Sequence, residues 1–370
     1  MYIGIDLGGT NIAAGLVTDD GKLLYKDSIP TQKERNPSEI IADMAMLAKR
    51  VVAEGGSNLS QIHAVGIGCP GTIDNATGSV VYSNNIVMEH IPMAKEFQKY
   101  LNLPVNMEND ANAAAYGEFI TNANGANSFV FITLGTGVGG GIILDGKIWR
   151  GFNGAGAELG HSTLVYNGES CTCGKKGCWE AYASVSALIA QTKLKMEQCP
   201  TSAMHQWVAK NGYVTGRTAF ECAKAGDAAA IAVRDQYIEY VAEGICSVVN
   251  ILQPDVLAIG GGISREGDTL LTPIRAYFEK NDFNKYMPKT DIRIATLFGD
   301  AGIIGAAMAA KKSLQKRTPK RGFCALRSAR KATRPPRRKL LKKFDQNFHQ
   351  TDEIVSFCPQ SKRCSNRQNN

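Results

Sequence analysis

The chain has 370 residues, of which 44% are hydrophobic and 21% charged. This composition is typical of a globular protein with roughly two domains, and it excludes collagen-like, mucin-like and acidic disordered chains. The net charge of +8 is unevenly distributed, because residues 311–370 carry 18 Lys and Arg against 3 Asp and Glu, whereas residues 1–310 carry 24 against 31. A nucleic-acid-binding role for the whole chain therefore does not follow from its basic isoelectric point.

The N-terminus, MYIGIDLGG, has no basic segment before its apolar residues, and no run of 18 apolar residues follows anywhere in the chain. We therefore expect neither a secretory signal nor a membrane-spanning helix, and we expect a cytoplasmic protein.

The first third of the chain predicts a glycine-rich hairpin followed by alternating helices and strands. The predicted elements are strands 2–5 and 12–17, helix 38–54, strand 64–68, helix 92–101, strand 105–108 and helix 111–119.

The next segment resembles the beginning of the chain. A strand at 128–134, a glycine loop at 135–141 and a second strand at 142–144 lead into Asp-Gly-Lys, as the first hairpin does. We interpret this as a duplicated unit; the alternative is a coincidental likeness between two glycine-rich hairpins. Further on, we predict helices 184–197, 216–225 and 227–249, strand 256–259, a third glycine turn at 260–262, strand 292–295 and helix 301–312.

The glycine loops point to phosphate binding. Residues 135–140 fit G-x-G-x-x-G, but a strand follows where a dinucleotide-binding loop would open a helix, and the chain has no P-loop motif. The two hairpin loops can instead cup phosphates with backbone N–H groups, and the third loop can receive an adenosine.

Two aspartates stand beside these loops. Asp6 suits Mg²⁺, directly or through water, although it could simply stabilise the turn. Asp110 follows a buried strand and could accept the proton of an attacking hydroxyl, while Asn109 binds a neighbouring hydroxyl. The plain alternative is that both residues only cap a helix.

One His and three Cys form the most specific pattern in the chain. His161, Cys171, Cys173 and Cys178 match a closed, structural Cys₃His zinc site; the alternative is a set of buried thiols. Glu158 and Glu180 flank this knuckle, where they could bind the hydroxyls of a polyol or serve as surface residues or helix caps.

Taken together, DLGGTN at 6–11, END at 108–110, LGTGVGGG at 134–141, GAGAELGH at 154–161, CTCGKKGCWE at 171–180 and AIGGGI at 258–263 resemble the ROK family of sugar kinases and repressors. The resemblance covers residues 1 to about 312 and is strongest to bacterial ROK glucokinases. It implies an α/β, actin-like or hexokinase-type fold of two lobes with the active site in the cleft between them. It also implies ATP with Mg²⁺, structural Zn²⁺, phosphorylation of a hexose at the 6-hydroxyl, and a homodimer.

The resemblance also implies roles for individual residues. Asp110 matches the catalytic base, and zinc is expected at His161, Cys171, Cys173 and Cys178. Sugar contacts are expected at Gly71, Asn84, Asn109, Asp110, Glu158, His161 and Glu180. Nucleotide or magnesium contacts are expected at Asp6, Gly8, Gly9, Thr10, Asn11, Thr136, Gly137 and Gly261.

We expect a small lobe over 1–110, completed by the helix at 301–312, a large lobe over 111–300 with the zinc knuckle at 161–178, and a basic tail at 313–370. The tail is expected to be disordered, either as an anchor for RNA or anionic membrane or as an extension with no selected role.

Only five residues precede Asp6, which leaves no room for the DNA-binding module of ROK repressors and favours an enzyme. Phe298-Gly299-Asp300 departs from the Gly-Asn-Asp that many members have before the last helix.

Overall fold

The computed structural model describes residues 1–83, 86–123 and 125–317. Thirteen strands lie in the described residues: β1 Tyr2–Leu7, β2 Asn11–Val17, β3 Leu23–Pro30, β4 Ala64–Cys69, β5 Thr72–Asp74, β6 Ser79–Ser83, β7 Met88–Ile91, β8 Val105–Asn109, β9 Phe129–Leu134, β10 Val138–Leu144, β11 Lys147–Trp149, β12 Val256–Gly260 and β13 Asp291–Ile294.

Ten α-helices lie in the same residues: α1 Pro37–Glu54, α2 Met93–Gln98, α3 Asp110–Asn122, α4 Glu180–Ala183, α5 Val185–Gln198, α6 Ala203–Asn211, α7 Gly216–Lys224, α8 Ala228–Leu252, α9 Asp268–Asn281 and α10 Ala301–Arg317. None of these helices is both long and apolar enough to cross a bilayer.

Two five-stranded sheets share one topology. The first has the order β3-β2-β1-β4-β8 and the second β11-β10-β9-β12-β13. In each, a hairpin forms the antiparallel half, and the remaining strands run parallel to the first strand of that hairpin. The two sheets therefore have the repeated topology that a duplicated unit predicts. A small sheet, β5-β6-β7, which the sequence pattern did not predict, adjoins the first sheet.

Helices α3 and α10 form a layer between the two sheets. Each follows the last parallel strand of its own half, β8 or β13. A shared core joins side chains of both helices to both sheets, including Tyr2, Ala64, Phe129 and Ala258. Helix α10 lies directly on the first sheet, since a Cβ on Gly66 of β4 would be 1.8 Å from the carbonyl oxygen of Ala306. The layer therefore holds the sheets together at the point where the functional residues gather.

The outer faces of the sheets are covered by amphipathic helices. Helix α1 begins with a capping box in which the Asn36 side chain accepts from Ser38 and the Glu39 side chain accepts from the Asn36 backbone, and its apolar face covers the first sheet. Helices α5, α7, α8 and α9 cover the second sheet and enclose the largest apolar core.

The helices differ from the prediction in extent and in number. The last helix ends at Arg317 rather than 312, because Leu314 still packs on the core between the sheets. Helices α6 and α9 were not predicted. Residues 318–370 of the predicted tail lie outside the described residues.

Candidate active site

The turn from β8 into α3 carries the predicted base. Asn109 caps the helix, since its side chain accepts from the backbone N–H of Asn112 at 3.1 Å. Its amide also donates to the carbonyl oxygen of Gly71 at 3.2 Å, which brings those two predicted sugar-contacting residues together. Asp110 is the first residue of the helix, and its Oδ1 accepts from the N–H of Ala111 at 2.8 Å.

Asp110 lies in a buried environment. Burial raises the pKa of this carboxyl above its usual range, and hydrogen bonds from the Ala111 N–H and from Asn109 offset only part of that rise. A carboxylate with a raised pKa accepts a proton more strongly. General-base catalysis requires this property.

Asp6 lies close to Asp110. Burial, followed by the negative charge of Asp110, raises the pKa of Asp6 from its usual 3.8 to about 7. The Asp6 carboxylate also touches the first turn of α10, where a Cβ on Gly302 would be 2.6 Å from its Oδ2. Two neighbouring carboxyls of this kind are oxygen donors that suit a divalent cation.

The first glycine loop connects β1 to β2. The N–H of Gly8 donates to the carbonyl oxygen of Asn11 at 3.0 Å, and Thr10 accepts from the N–H of Thr31 at 2.8 Å. Buried Thr31 also donates through its hydroxyl to the carbonyl oxygen of Gly8 at 2.6 Å, so a residue that the sequence analysis did not single out fixes the loop, including Gly9, from beneath.

The second and third glycine loops meet at the end of the second sheet. Gly261 has a φ of +86°, and a Cβ there would be 2.2 Å from the carbonyl oxygen of Leu134, the residue that precedes the loop carrying Thr136 and Gly137. Only glycine can adopt this positive φ without strain and also leave room for the Leu134 carbonyl, so the two loops pack in direct contact. Thr136 itself is exposed, and its carbonyl accepts from the hydroxyl of Ser186 at 2.8 Å.

Glu158 lies within electrostatic range of the other predicted sugar-binding groups. Burial raises its pKa above the usual range, the charge of His161 lowers it, and the charges of Asp110 and Glu180 raise it. The structure thus brings the predicted base and three predicted sugar ligands into one region. Asn84 lies outside the described residues.

The knuckle residues converge as a metal site would require. One ligand atom from each of His161, Cys171, Cys173 and Cys178 lies within 4.8 Å of all the others. The Cys171 Sγ is 3.6 Å from His161 Nδ1, and the Cys173 and Cys178 sulfurs are also 3.6 Å apart. These separations and the Cys₃His donor set fit a tetrahedral zinc ion, which would fix the loop without an open position for hydrolysis.

Glu180 joins this knuckle to the second glycine loop. Its Oε2 accepts from the backbone N–H of Val138 at 2.9 Å, and its Oε1 accepts from the hydroxyl of Thr172 at 3.3 Å. A Cβ on Gly137 would be 2.3 Å from the same Oε2. The contact of Glu180 with the loop that holds Gly137 was not predicted.

The sequence pattern also did not predict a buried ion pair. Glu108, only 1% exposed, accepts from the Nε of Arg150 at 2.9 Å and pairs with a second guanidinium nitrogen. Burial raises the pKa of Glu108, and Arg150 offsets part of the rise. A Glu at the end of a buried strand was the available signal, because a buried carboxylate needs a partner.

Comparison with known proteins decides the family. The ROK family model matches residues 2–313. The chain belongs to the ROK family. It is 36% identical over 313 residues to the glucokinase of Halalkalibacterium halodurans, covering 84% of this chain and 95% of that protein.

Solved ROK structures share the fold. The ROK glucokinase of Streptomyces griseus, crystallised with glucose and AMPPNP, has a TM-score of 0.73 and 34% identity, covering 84% of this chain and 99% of that one. The hexokinase-type α/β fold with two mixed sheets is therefore confirmed, and the His–Cys cluster agrees with the zinc motif of the family.

ROK repressors are more distant relatives. The xylose repressor of Caldicellulosiruptor bescii is 27% identical over 304 residues, covering 82% of this chain and 76% of the repressor. The greater similarity to sugar kinases supports a hexose kinase.

Proposed function

We propose that this ROK protein transfers the γ-phosphoryl group of ATP to the 6-hydroxyl of a hexose, with glucose as the preferred sugar. The observation that carries the proposal is the position of buried Asp110 within electrostatic range of Glu158 and Asp6. Similarity to glucokinases, one of them solved with glucose and an ATP analogue, supports the choice of sugar and donor.

In the proposed reaction, Asp110 accepts the proton of the 6-hydroxyl as that oxygen attacks the γ-phosphorus. The bond from the γ-phosphorus to the oxygen that bridges it to the β-phosphate breaks, and ADP leaves. The raised pKa of Asp110 supports this role, because a stronger base shares the proton better in the transition state.

The remaining predicted residues are proposed to hold the two substrates. Asn109, Glu158, His161 and Glu180, with Gly71 and Asn84, would bind the sugar hydroxyls and fix the 6-hydroxyl for in-line attack. The loops at Gly8–Asn11, Thr136–Gly137 and Gly261 would hold the nucleotide. Magnesium would neutralise phosphate charge when bound, and Asp6 is the residue proposed to hold it.

We also propose that the protein works in the cytoplasm as a homodimer. Its proposed substrates, ATP and a free hexose, are small molecules, and a reducing compartment keeps a cysteine cluster in the thiol form that can bind zinc. Contact with nucleic acid is proposed only through the basic residues after Arg317.

The test is release of ADP by the full chain with Mg·ATP and each of glucose, mannose, fructose, allose, N-acetylglucosamine and N-acetylmannosamine. We expect turnover to be greatest on glucose. Preference for an N-acetyl sugar, allose or fructose would keep the kinase and replace its substrate. Binding of a sugar without turnover on any would favour a non-catalytic sugar sensor.

A further inference from the structure

The ion pair between Glu108 and Arg150 connects segments that belong to different sheets. Glu108 lies in β8 of the first sheet, and Arg150 directly follows β11 of the second. The Arg150 Nε lies 3.1 Å from Oε1 and 2.9 Å from Oε2, and a second guanidinium nitrogen also donates to Oε2, so two nitrogens contact the two carboxylate oxygens in a bidentate pair. Such a pair restrains orientation as well as distance.

On the side of the first sheet, the pair restrains the turn that carries the proposed base. The Oε1 of Glu108 also accepts from the backbone N–H of Asn109 at 3.2 Å. Asn109 in turn caps α3 and donates to the carbonyl oxygen of Gly71. The Glu108 carboxylate therefore contacts the backbone of Asn109, the residue that precedes Asp110.

On the side of the second sheet, the pair restrains the loop that leads to the proposed sugar ligands. The carbonyl oxygen of Arg150 accepts from the N–H of Gly156 at 2.9 Å, which closes the loop 150–156 upon itself. Glu158 and His161 follow two and five residues later. The position of Arg150 thus determines where that segment leaves the second sheet.

We propose that Arg150 and Glu108 are positioning residues that fix the distance between Asp110 and the sugar-binding segment with Glu158 and His161. This inference rests on the proposed kinase function. Neither side chain is assigned contact with the sugar or with the phosphate. Their effect is exerted through Asn109 on one side and through the loop 150–156 on the other.

A set of variants distinguishes this positioning role from a purely structural role of the ion pair. Arg150→Met leaves a buried carboxylate without a partner, so both stability and turnover should fall. Adding Glu108→Gln removes that charge and should restore much of the melting temperature. If the pair positions the base, kcat of the double variant stays at least tenfold below wild type, because the restraint is still missing.

Arg150→Lys provides a second measurement that does not depend on rescue. Lysine keeps the positive charge but cannot make the bidentate contact. We expect a melting temperature within a few degrees of wild type, unchanged zinc content, and a kcat about tenfold lower with little change in KM for ATP.

The control is the double variant Arg50→Met/Asp27→Asn, which removes a 2.6 Å ion pair between α1 and β3 on one side of the molecule. Its kcat should equal that of wild type. Recovery of kcat together with stability in Arg150→Met/Glu108→Gln, or a wild-type kcat in Arg150→Lys, would overturn this inference. Either result would leave the proposed kinase function standing. Absence of turnover by the wild type on every sugar would overturn the proposed function, and this inference with it.

Discussion

Asp110 is the residue on which the proposed chemistry depends, and a single substitution tests it. In Asp110→Asn, the amide oxygen can still accept from the N–H of Ala111, so the start of α3 should remain intact. We expect sugar binding to persist, by calorimetry, while kcat falls by about 10²–10⁴-fold.

Asp235→Asn is the matched control, because that carboxylate lies exposed on α8. It should leave kcat unchanged. Turnover within threefold of wild type in Asp110→Asn would remove this residue from the role of base.

Asp6 gives a prediction about stability and pH. Its folded pKa of about 7 exceeds the usual 3.8, so the fold binds this proton more tightly than the unfolded chain does. The stability that this group contributes is complete below pH 4 and is lost as the pH rises through 7. Asp6→Asn removes that loss, and each pKa unit corresponds to about 1.4 kcal/mol.

We therefore expect Asp6→Asn to be more stable than wild type by roughly 2–4 kcal/mol at pH 9, without magnesium. The difference should shrink through pH 7 and vanish below pH 4. Urea unfolding across this range measures it. A constant difference at every pH, or none at pH 9, would contradict the raised pKa.

At the scale of elements, the knuckle is the feature whose removal is simplest to follow. Cys173→Ser takes one of four converging ligands, so we expect zinc content to fall from about one ion per chain to nearly none. The melting temperature should fall by at least about 5 °C. Because Glu180 links the knuckle to the loop at Gly137, affinity for ATP should also weaken.

Cys199→Ser is the control, since Cys199 is half-buried at the end of α5, outside the cluster. Its zinc content should match that of wild type in atomic spectroscopy. Full zinc content in Cys173→Ser would refute the assignment of the ligands.

The crossing of α3 and α10 yields another prediction about stability. A Cβ on Gly305 of α10 would be 1.7 Å from the carbonyl oxygen of Ala113, so the helices must separate to accept it. We expect Gly305→Ala to lower the free energy of unfolding by about 3 kcal/mol or more, measured by urea denaturation. Gly299→Ala, whose Cβ meets no atom within 4 Å, should change it little. Equal stability of the two variants would mean that the helices are not packed this closely.

Most strands and the major helices were predictable, because their apolar spacing is local to each segment. Helices α6 and α9 were missed, since α6 buries little apolar surface and α9 contains Pro273. The four metal ligands were predictable because the motif itself places them within 18 residues. By contrast, the contact of Glu180 with Val138 and the Glu108–Arg150 pair join residues about 42 positions apart, and nothing in the local pattern records them.

At the scale of the whole molecule, the duplicated topology was indicated by the two hairpins. The layer formed by α3 and α10 was not, although the last helix was expected to complete the first lobe. Gly66 has the local sequence of an ordinary strand residue, yet it packs against Ala306 of α10, 240 positions later in the chain. The proposed lobe limits, 1–110 with 301–312 and 111–300, stay predictions, as do the individual roles of the site residues.

Charge distribution gives the prediction that belongs to the whole chain. Residues 318–370 contribute 14 Lys and Arg against 3 Asp and Glu, so a chain ending at Arg317 has a net charge of −3 instead of +8. We expect this truncation to abolish salt-dependent retention on heparin and to leave kcat on glucose unchanged. A truncated chain with lost turnover would assign the tail a part in catalysis.

The position of α10 has a consequence for synthesis of the protein. This helix covers the inner face of β1 and β4, yet it is made about 230 residues after β4. On the ribosome, the N-terminal sheet therefore emerges early and waits with an apolar face exposed until almost the whole kinase-like region has been translated. The first half of this duplicated protein builds one core from its own residues, and the inner face of its sheet is covered with the help of the last helix of the second half.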